Sequence, residues 1–138
     1  MPKYWFVRSP YKSRTWQDVL MKDVLKLYGI RSHAAKSNIA QMQKEDKVLW
    51  YSSSQGKKVF GVMKVSSNPY TDTTSSNGWL AIDFKPVKTF AYAITLVELN
   101  NMFNETPNFL KQQRVSVTQL SKTEFETIVQ YHKKRNLV

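Results

Sequence analysis

The stretch Asp46–Ser67, DKVLWYSSS-QG-KKVFGVMKVSS, constrains the fold more than any other. Two runs rich in β-branched and aromatic residues flank Gln55-Gly56, the pattern of two strands joined by a tight turn. An isolated hairpin is at best marginally stable, so this one needs further strands or a covering layer. The chain supplies both. Lys3–Arg8, KYWFVR, is aromatic-rich and predicts a strand. Trp79–Phe90, WLAIDFKPVKTF, alternates well enough for another, with Pro86 moving its second half toward an edge or bend. Arg114–Leu120, RVSVTQL, predicts one more.

Helix starts are marked by hydroxyl residues followed three positions later by an acid, the spacing of a capping box. Thr15 with Asp18 opens a helix to about Lys22 that should bury Trp16, Val19 and Leu20. Thr95 with Glu98 opens a short one near TLVELNN, and Ser121 with Glu124 opens the last. There Phe125, Ile128, Val129 and His132 fall on one helical face, with His132 expected at the core edge. Lys133, Lys134 and Arg135 follow; they suit either a helix C-terminus or a nucleic-acid contact. The segment Tyr28–Asn38, YGIRSHAAKSN, has no strand alternation and little apolar content. It reads as a basic loop, with Gly29 allowing a tight turn and Ala34 and Ala35 permitting close approach. Thr71–Asn77 reads as a second polar loop. Strands interspersed with short helices, without a βαβ rhythm, predict an α+β domain: a compact barrel of about five or six strands with helices packed around it. One domain, 1–138, is expected.

Charge narrows the function. Lys and Arg number 21 against 10 Asp and Glu, a net +11, which suits a polyanion because such side chains displace phosphate counterions. With no cysteine and two distant histidines, neither a thiolate site nor a metal centre is expected, and no cofactor. No apolar run is long enough to cross a membrane, and the first ten residues lack a signal-peptide apolar stretch; a cytoplasmic protein is expected. A serine hydrolase would have to use Ser32 or Ser37 with His33, and neither serine sits in a nucleophile turn. Glu45-Asp46 beside a strand start reads as solvated. The chain is therefore expected to bind rather than catalyse.

The order of motifs resembles the EVE domain, a member of the PUA-like group related to YTH readers of modified RNA. YWFVRSP stands where that family has YWLVKSEP; LYGIRSHAAKSNI where it has WDGVRNYQARNNL; EDKVLWYSS where it has GDLVLFYHS. GVMKVSSNPYTD, WLAIDFKPV, TLVEL and RVSVTQLSKTEF follow in family order. The resemblance covers roughly Pro2 to Val129. It implies a PUA-like barrel whose pocket, between barrel and helices, accepts a modified base. Ser9, Arg31, Ala35, Asn38, Tyr51, Ser53, Tyr70, Asp72 and Arg114 match family positions. The family Glu becomes Pro10, its Trp becomes Leu27, its Asp becomes Tyr28, and its His becomes Ser52.

A flipped base needs an aromatic face, hydrogen bonds to its edge, and cations for flanking phosphates. The residues expected around the base are Ser9, Tyr28, Ile30, Ser32, His33, Asn38, Tyr51, Ser53 and Tyr70. Arg8, Arg31, Lys36 and Arg114 are expected at phosphates. Plainer roles stand beside these. Trp50 and Tyr51 alternate, so Trp50 should face the core and Tyr51 the pocket. Tyr70 either stacks or covers its loop; Asp72 either binds or makes an Asx turn. Arg31 either meets ligand or bonds buried carbonyls, and Trp5, Trp16 and Trp79 read as core. The expected partner is nucleic acid, modified DNA or RNA, met by a monomer without metal or membrane. The alternative is a free nucleoside or nucleotide in the same pocket.

Overall fold

The computed structural model describes residues 2–9 and 15–136. Along them run β1 (Tyr4–Arg8), α1 (Trp16–Lys22), β2 (Leu25–Leu27), α2 (His33–Gln41), β3 (Lys47–Ser52) and β4 (Lys58–Val65). Then come β5 (Tyr70–Thr71), β6 (Leu80–Thr95), α3 (Leu96–Asn101), α4 (Asn108–Lys111), β7 (Val117–Leu120) and α5 (Lys122–Asn136). The strands form one curled sheet in the order β2-β6-β4-β3-β1-β7, with β5 on β6. The expected barrel is thus a half-barrel of α+β type. β1 runs parallel to β3 and antiparallel to β7, and the remaining pairs are antiparallel.

The hairpin is β3–β4, with Lys47 opposite Lys64 and Ser52 opposite Lys58. The curl comes from β6, whose 16 residues change register against β4 between Val59 and Gly61 and again between Val62 and Met63. Pro86 stands opposite Met63 at the second slip, where a residue without an N–H is tolerated. Gly61 permits the approach of α1 and β6. A Cβ there would lie 2.2 Å from the Lys88 carbonyl oxygen and 2.8 Å from the Trp16 ring.

Alternate strand residues face opposite sides, so the sheet carries two apolar layers. Trp5, Val7, Val48 and Trp50 pack with Trp16 and Val19 of α1 and Ala35 and Ile39 of α2. Phe6, Leu49 and Tyr51 pack on the other side with Leu99 of α3, Phe109 of α4 and Ile128 of α5. All three expected capping boxes form: Thr15 with Asp18, Thr95 with Glu98, and Ser121 with Glu124. On α5, Ile128 and His132 are buried, and Arg135 is ion-paired to Glu98.

Three expectations are corrected here. Tyr28–Asn38 is not all loop: α2 begins at His33, with the Ser32 hydroxyl accepting from the Ala35 amide (3.3 Å). The helix buries only Ala35 and Ile39, one position per turn, too sparse a stripe for periodicity to reveal. Asp46 is not solvated. It is 1% exposed and accepts from the Lys3 amide (3.0 Å), the Trp5 indole (3.0 Å) and the Gln43 amide (2.9 Å), clamping β1 to the start of β3. The strand expected from Arg114 begins at Val117, because residues 112–116 form a turn in which Val115 donates to the Gln112 carbonyl.

Candidate functional site

The expected site residues divide into three places. The first is a cleft of about 350 Å³ where the ends of β1 and β3 meet the turn before β7. Main-chain bonds fix it: Ser9 donates to the Tyr51 carbonyl (2.7 Å) and Arg8 to the Ser116 carbonyl (2.8 Å). Ser9, Tyr51, Ser53, Arg8 and Arg114 all line it. Tyr51 is 4% exposed, and the Arg8 guanidinium lies 5.2 Å from its ring centroid and 5.0 Å from that of Phe6. Arg8 also donates to the Phe109 carbonyl (2.8 Å), so it is held inside the cleft wall rather than free at the surface. Its Nε is buried and has no hydrogen-bond partner among the described residues. Burial lowers the pKa of Arg8 and raises that of Tyr51, each shift partly offset by the charge of the other group.

Four further residues complete the lining: Lys57, Leu96, Gln113 and Ser116. Lys57 sits in the left-handed region (φ 57°) at the hairpin end, and its carbonyl accepts from the Leu96 amide (2.9 Å). A non-glycine residue held there stores strain, a device common at binding sites. These four were missed because each lies on a turn or helix start with no apolar pattern. Gln55-Gly56 was the signal that could have found Lys57. Chemically, the lining offers one aromatic face, serine hydroxyls, an amide and three cations, with no carboxylate. That set suits a planar ring with a polar edge and adjacent negative charge.

The second place is a smaller cleft of about 250 Å³ lined by Lys26, Tyr28, Tyr70 and the loop from Asp72 to Thr74. Tyr28 and Tyr70 are both half-exposed, and Tyr70 donates to Asp83 (2.6 Å). Asp72 is 1% exposed and organises this region. It makes an Asx turn with the Thr74 amide (2.8 Å) and hydroxyl (2.6 Å), and accepts from the Gly29 amide (2.8 Å) and Arg31 (3.0 Å). Burial raises its pKa, but the bonds from Thr74, Gly29 and Arg31 outweigh that and hold it well below the usual carboxylate range. Arg31 is therefore anchored, with its other nitrogen on the Thr74 hydroxyl (2.9 Å).

The third place is Trp79, which is half-buried and outside both apolar layers, contrary to its expected core role. His33 and Lys36 meet it, together with Arg31 from the second place. Glycine at 78 (φ 76°) turns the chain just before it, so the indole precedes the strand instead of joining its inward face.

Three expected pocket residues serve the framework. Ile30 is 3% exposed and belongs to the apolar layer of α2, because the turn at Gly29 points it inward. Ser32 is spent as the α2 cap. Asn38 donates to the Val117 carbonyl (2.6 Å), tying α2 to β7. The substitution of the family Glu at Pro10 lies outside the described residues. Among those described, no helix is long and apolar enough to cross a membrane.

Solved structures share this architecture. A hypothetical protein from Leishmania major is 26% identical over 99% of this chain and 98% of its own, with a TM-score of 0.88. Human THYN1, solved with DNA containing 5-methylcytosine, is 20% identical over 94% of this chain and 97% of its own (TM-score 0.82). The YTH domain of Zygosaccharomyces rouxii MRB1, solved with N6-methyladenosine RNA, is 10% identical over 95% and 86% (TM-score 0.60). No curated protein matches the sequence. The family model for the EVE domain matches residues 3–131, from the first strand into the last helix, and the chain belongs to the EVE-domain family.

Proposed function

We propose that this chain is a non-catalytic nucleic-acid-binding module that reads a modified base in the cleft between Ser9 and Arg114. The observation that carries the reading is the cleft lining: the Tyr51 face with Arg8 over it, hydroxyls from Ser9 and Ser53, and cations at Lys57 and Arg114. The Arg8 guanidinium, backed by the buried Tyr51 ring, supplies the planar stacking surface, a contact worth about 1–3 kcal/mol per base where an aromatic side chain makes it. Ser9 and Ser53 read the polar edge, while Lys57 and Arg114 meet the flanking phosphates. The net charge of +11 favours such a partner. Two proteins of like fold, human THYN1 and the MRB1 YTH domain, were solved with methylated DNA and methylated RNA, which supports a modified base as the ligand class.

The test is a titration with oligonucleotides carrying 5-methylcytosine, N6-methyladenosine or no modification, as DNA and as RNA, at two salt concentrations. Preference for one modified strand that persists at the higher salt is the expected result. Equal affinity for all strands with a steep salt slope would reduce the module to a general polyanion binder. The cleft is also large enough for a free nucleoside. Thermal stabilisation by a nucleoside as great as by the matching oligonucleotide would favour that smaller ligand.

A further inference from the structure

We propose that Trp79, with Arg31, His33 and Lys36 around it, is a second nucleic-acid contact. It would take a single-stranded segment beside the nucleotide in the cleft, and so it rests on the nucleic-acid reading above.

Four observations converge on this face. First, Trp79 differs from the other three tryptophans: Trp5 and Trp50 are 0% exposed and Trp16 is 2%, whereas Trp79 is only partly buried. A residue with so much apolar surface gains from full burial, and this one forgoes it. Second, three basic side chains gather on the ring. The His33 ring centroid is 5.0 Å away, the Lys36 ammonium 5.7 Å and the Arg31 guanidinium 5.9 Å.

Third, the two fixed charges, Arg31 and Lys36, are under-neutralised. Asp72 pairs with Arg31, but neither His33 nor Lys36 has an acidic partner among the described residues. Fourth, His33 and Lys36 occupy the first turn of α2, which carries no acidic residue. The positive end of the helix dipole disfavours the Lys36 cation there, and an anion would relieve the conflict. Local rules broken together at one surface mark a site shaped by something other than stability.

An aromatic face ringed by cations is how single strands are held: bases stack while phosphates meet Lys and Arg. The position fits a continuous strand. Asn38 fixes the middle of α2 to Val117, next to Ser116 of the cleft, and His33 lies five residues earlier, roughly 8 Å along the helix. On the far side, Arg31 bonds Asp72 and Thr74, which line the tyrosine cleft.

Because the other three indoles are buried, iodide quenching of tryptophan fluorescence reports on Trp79. An eight-nucleotide single strand bearing the preferred base should protect that fluorescence, and Trp79→Phe should remove the quenchable component. Lys36→Ala should weaken the eight-mer roughly tenfold and lower the salt slope by about 0.7, while leaving affinity for the modified nucleoside unchanged. Trp79→Ala should do the same to affinity, with melting temperature recorded to establish folding. The proposal is overturned if iodide still quenches Trp79 in the complex and Lys36→Ala binds the eight-mer like the parent protein. Protection of Trp79 without base preference would retain this contact and sink the cleft reading. Base preference without protection would do the reverse.

Discussion

The Ser9–Arg114 cleft and the Trp79 face are built in different ways. The cleft stands on strand ends: its walls are fixed by main-chain bonds from Arg8 and Ser9 to Ser116 and Tyr51, so its geometry follows from the sheet. The Trp79 face has a far shorter ladder, the two residue pairs of β5 with β6 and the Asp72 amide donating to the Trp79 carbonyl (2.7 Å). Its cations come from a turn and a helix start, and the loop before Trp79 is hung on one buried carboxylate, Asp72. A ladder-built site changes only if the sheet changes. A site held largely by one side chain can be adjusted, or lost, by one substitution.

The strongest way to break this contrast is Asp72→Ala. It leaves the Gly29 and Thr74 amides without their acceptor, at about 1–3 kcal/mol each, while Arg31, whose side chain is 40% exposed, is rescued by solvent and adds little. Urea unfolding should register the loss. Nucleoside binding in the cleft should survive at urea concentrations where the variant remains folded. Asn38→Ala comes next, because it cuts the bond between α2 and β7 that links the two regions. An unsatisfied Val117 carbonyl predicts a cost of about 1–3 kcal/mol, together with weaker coupling between cleft and face in a double-mutant cycle with Trp79→Phe.

Tyr51→Leu sharpens the contrast from the other side. It keeps the apolar contact with Phe6 but removes the ring that backs the Arg8 guanidinium, and should cost roughly tenfold in affinity for the modified strand without changing iodide access to Trp79.

Acid separates the regions by carboxylate. Burial raises the pKa of Glu98, but bonds from Tyr131, Thr95 and Arg135 hold it at about 2, against 4.5 unperturbed; Asp72 is held lower still. Both pKa values are depressed in the fold, so the stability they contribute is present above about pH 4.5 and is lost as pH falls through each folded value. Carboxyl NMR titration should show Glu98, which ties α5 to the α3 helix beside the cleft, protonating before Asp72.

The smallest effect concerns His132. Its ring is stacked on Phe90 (4.4 Å), and neither nitrogen has a hydrogen-bond partner among the described residues. Burial lowers its pKa, helped by Lys88 and Arg135, so the fold favours the neutral ring and loses stability as pH drops below 6.5. His132→Leu should be near neutral at pH 8 and relatively stabilising at pH 5.5, by less than about 1 kcal/mol.

The strands and capped helices were legible in the sequence because alternation and capping boxes are local signals. The hairpin at Gln55-Gly56 and the helix at Thr95 needed no tertiary knowledge. β2 was not legible: three residues with only Leu25 and Leu27 inward are too few for a period to emerge. β5 is two residues, and exists as a strand only because Ala81 and Leu80 lie opposite. The cleft was partly legible, since Ser9, Tyr51, Ser53 and Arg114 sit at strand ends or beside them, whose order the chain preserves. Asp72 was undecided for a physical reason. An Asx turn needs only residues two apart, whereas its bond to Arg31 spans 41 positions that no local pattern reports.

The central position of β1 bears on how the molecule is made. β1 lies between β3 and β7, and Tyr4 pairs with both Lys47 and Leu120. β1, made earliest of the described strands, therefore cannot complete its hydrogen bonding until β7, the last of them, has followed. Pairings of such sequence separation slow folding, and they leave an unsealed, Trp-bearing strand edge exposed during synthesis. A nascent chain stalled before Val117 should be captured by chaperones and cut by protease, whereas one released past Leu120 should close and become resistant.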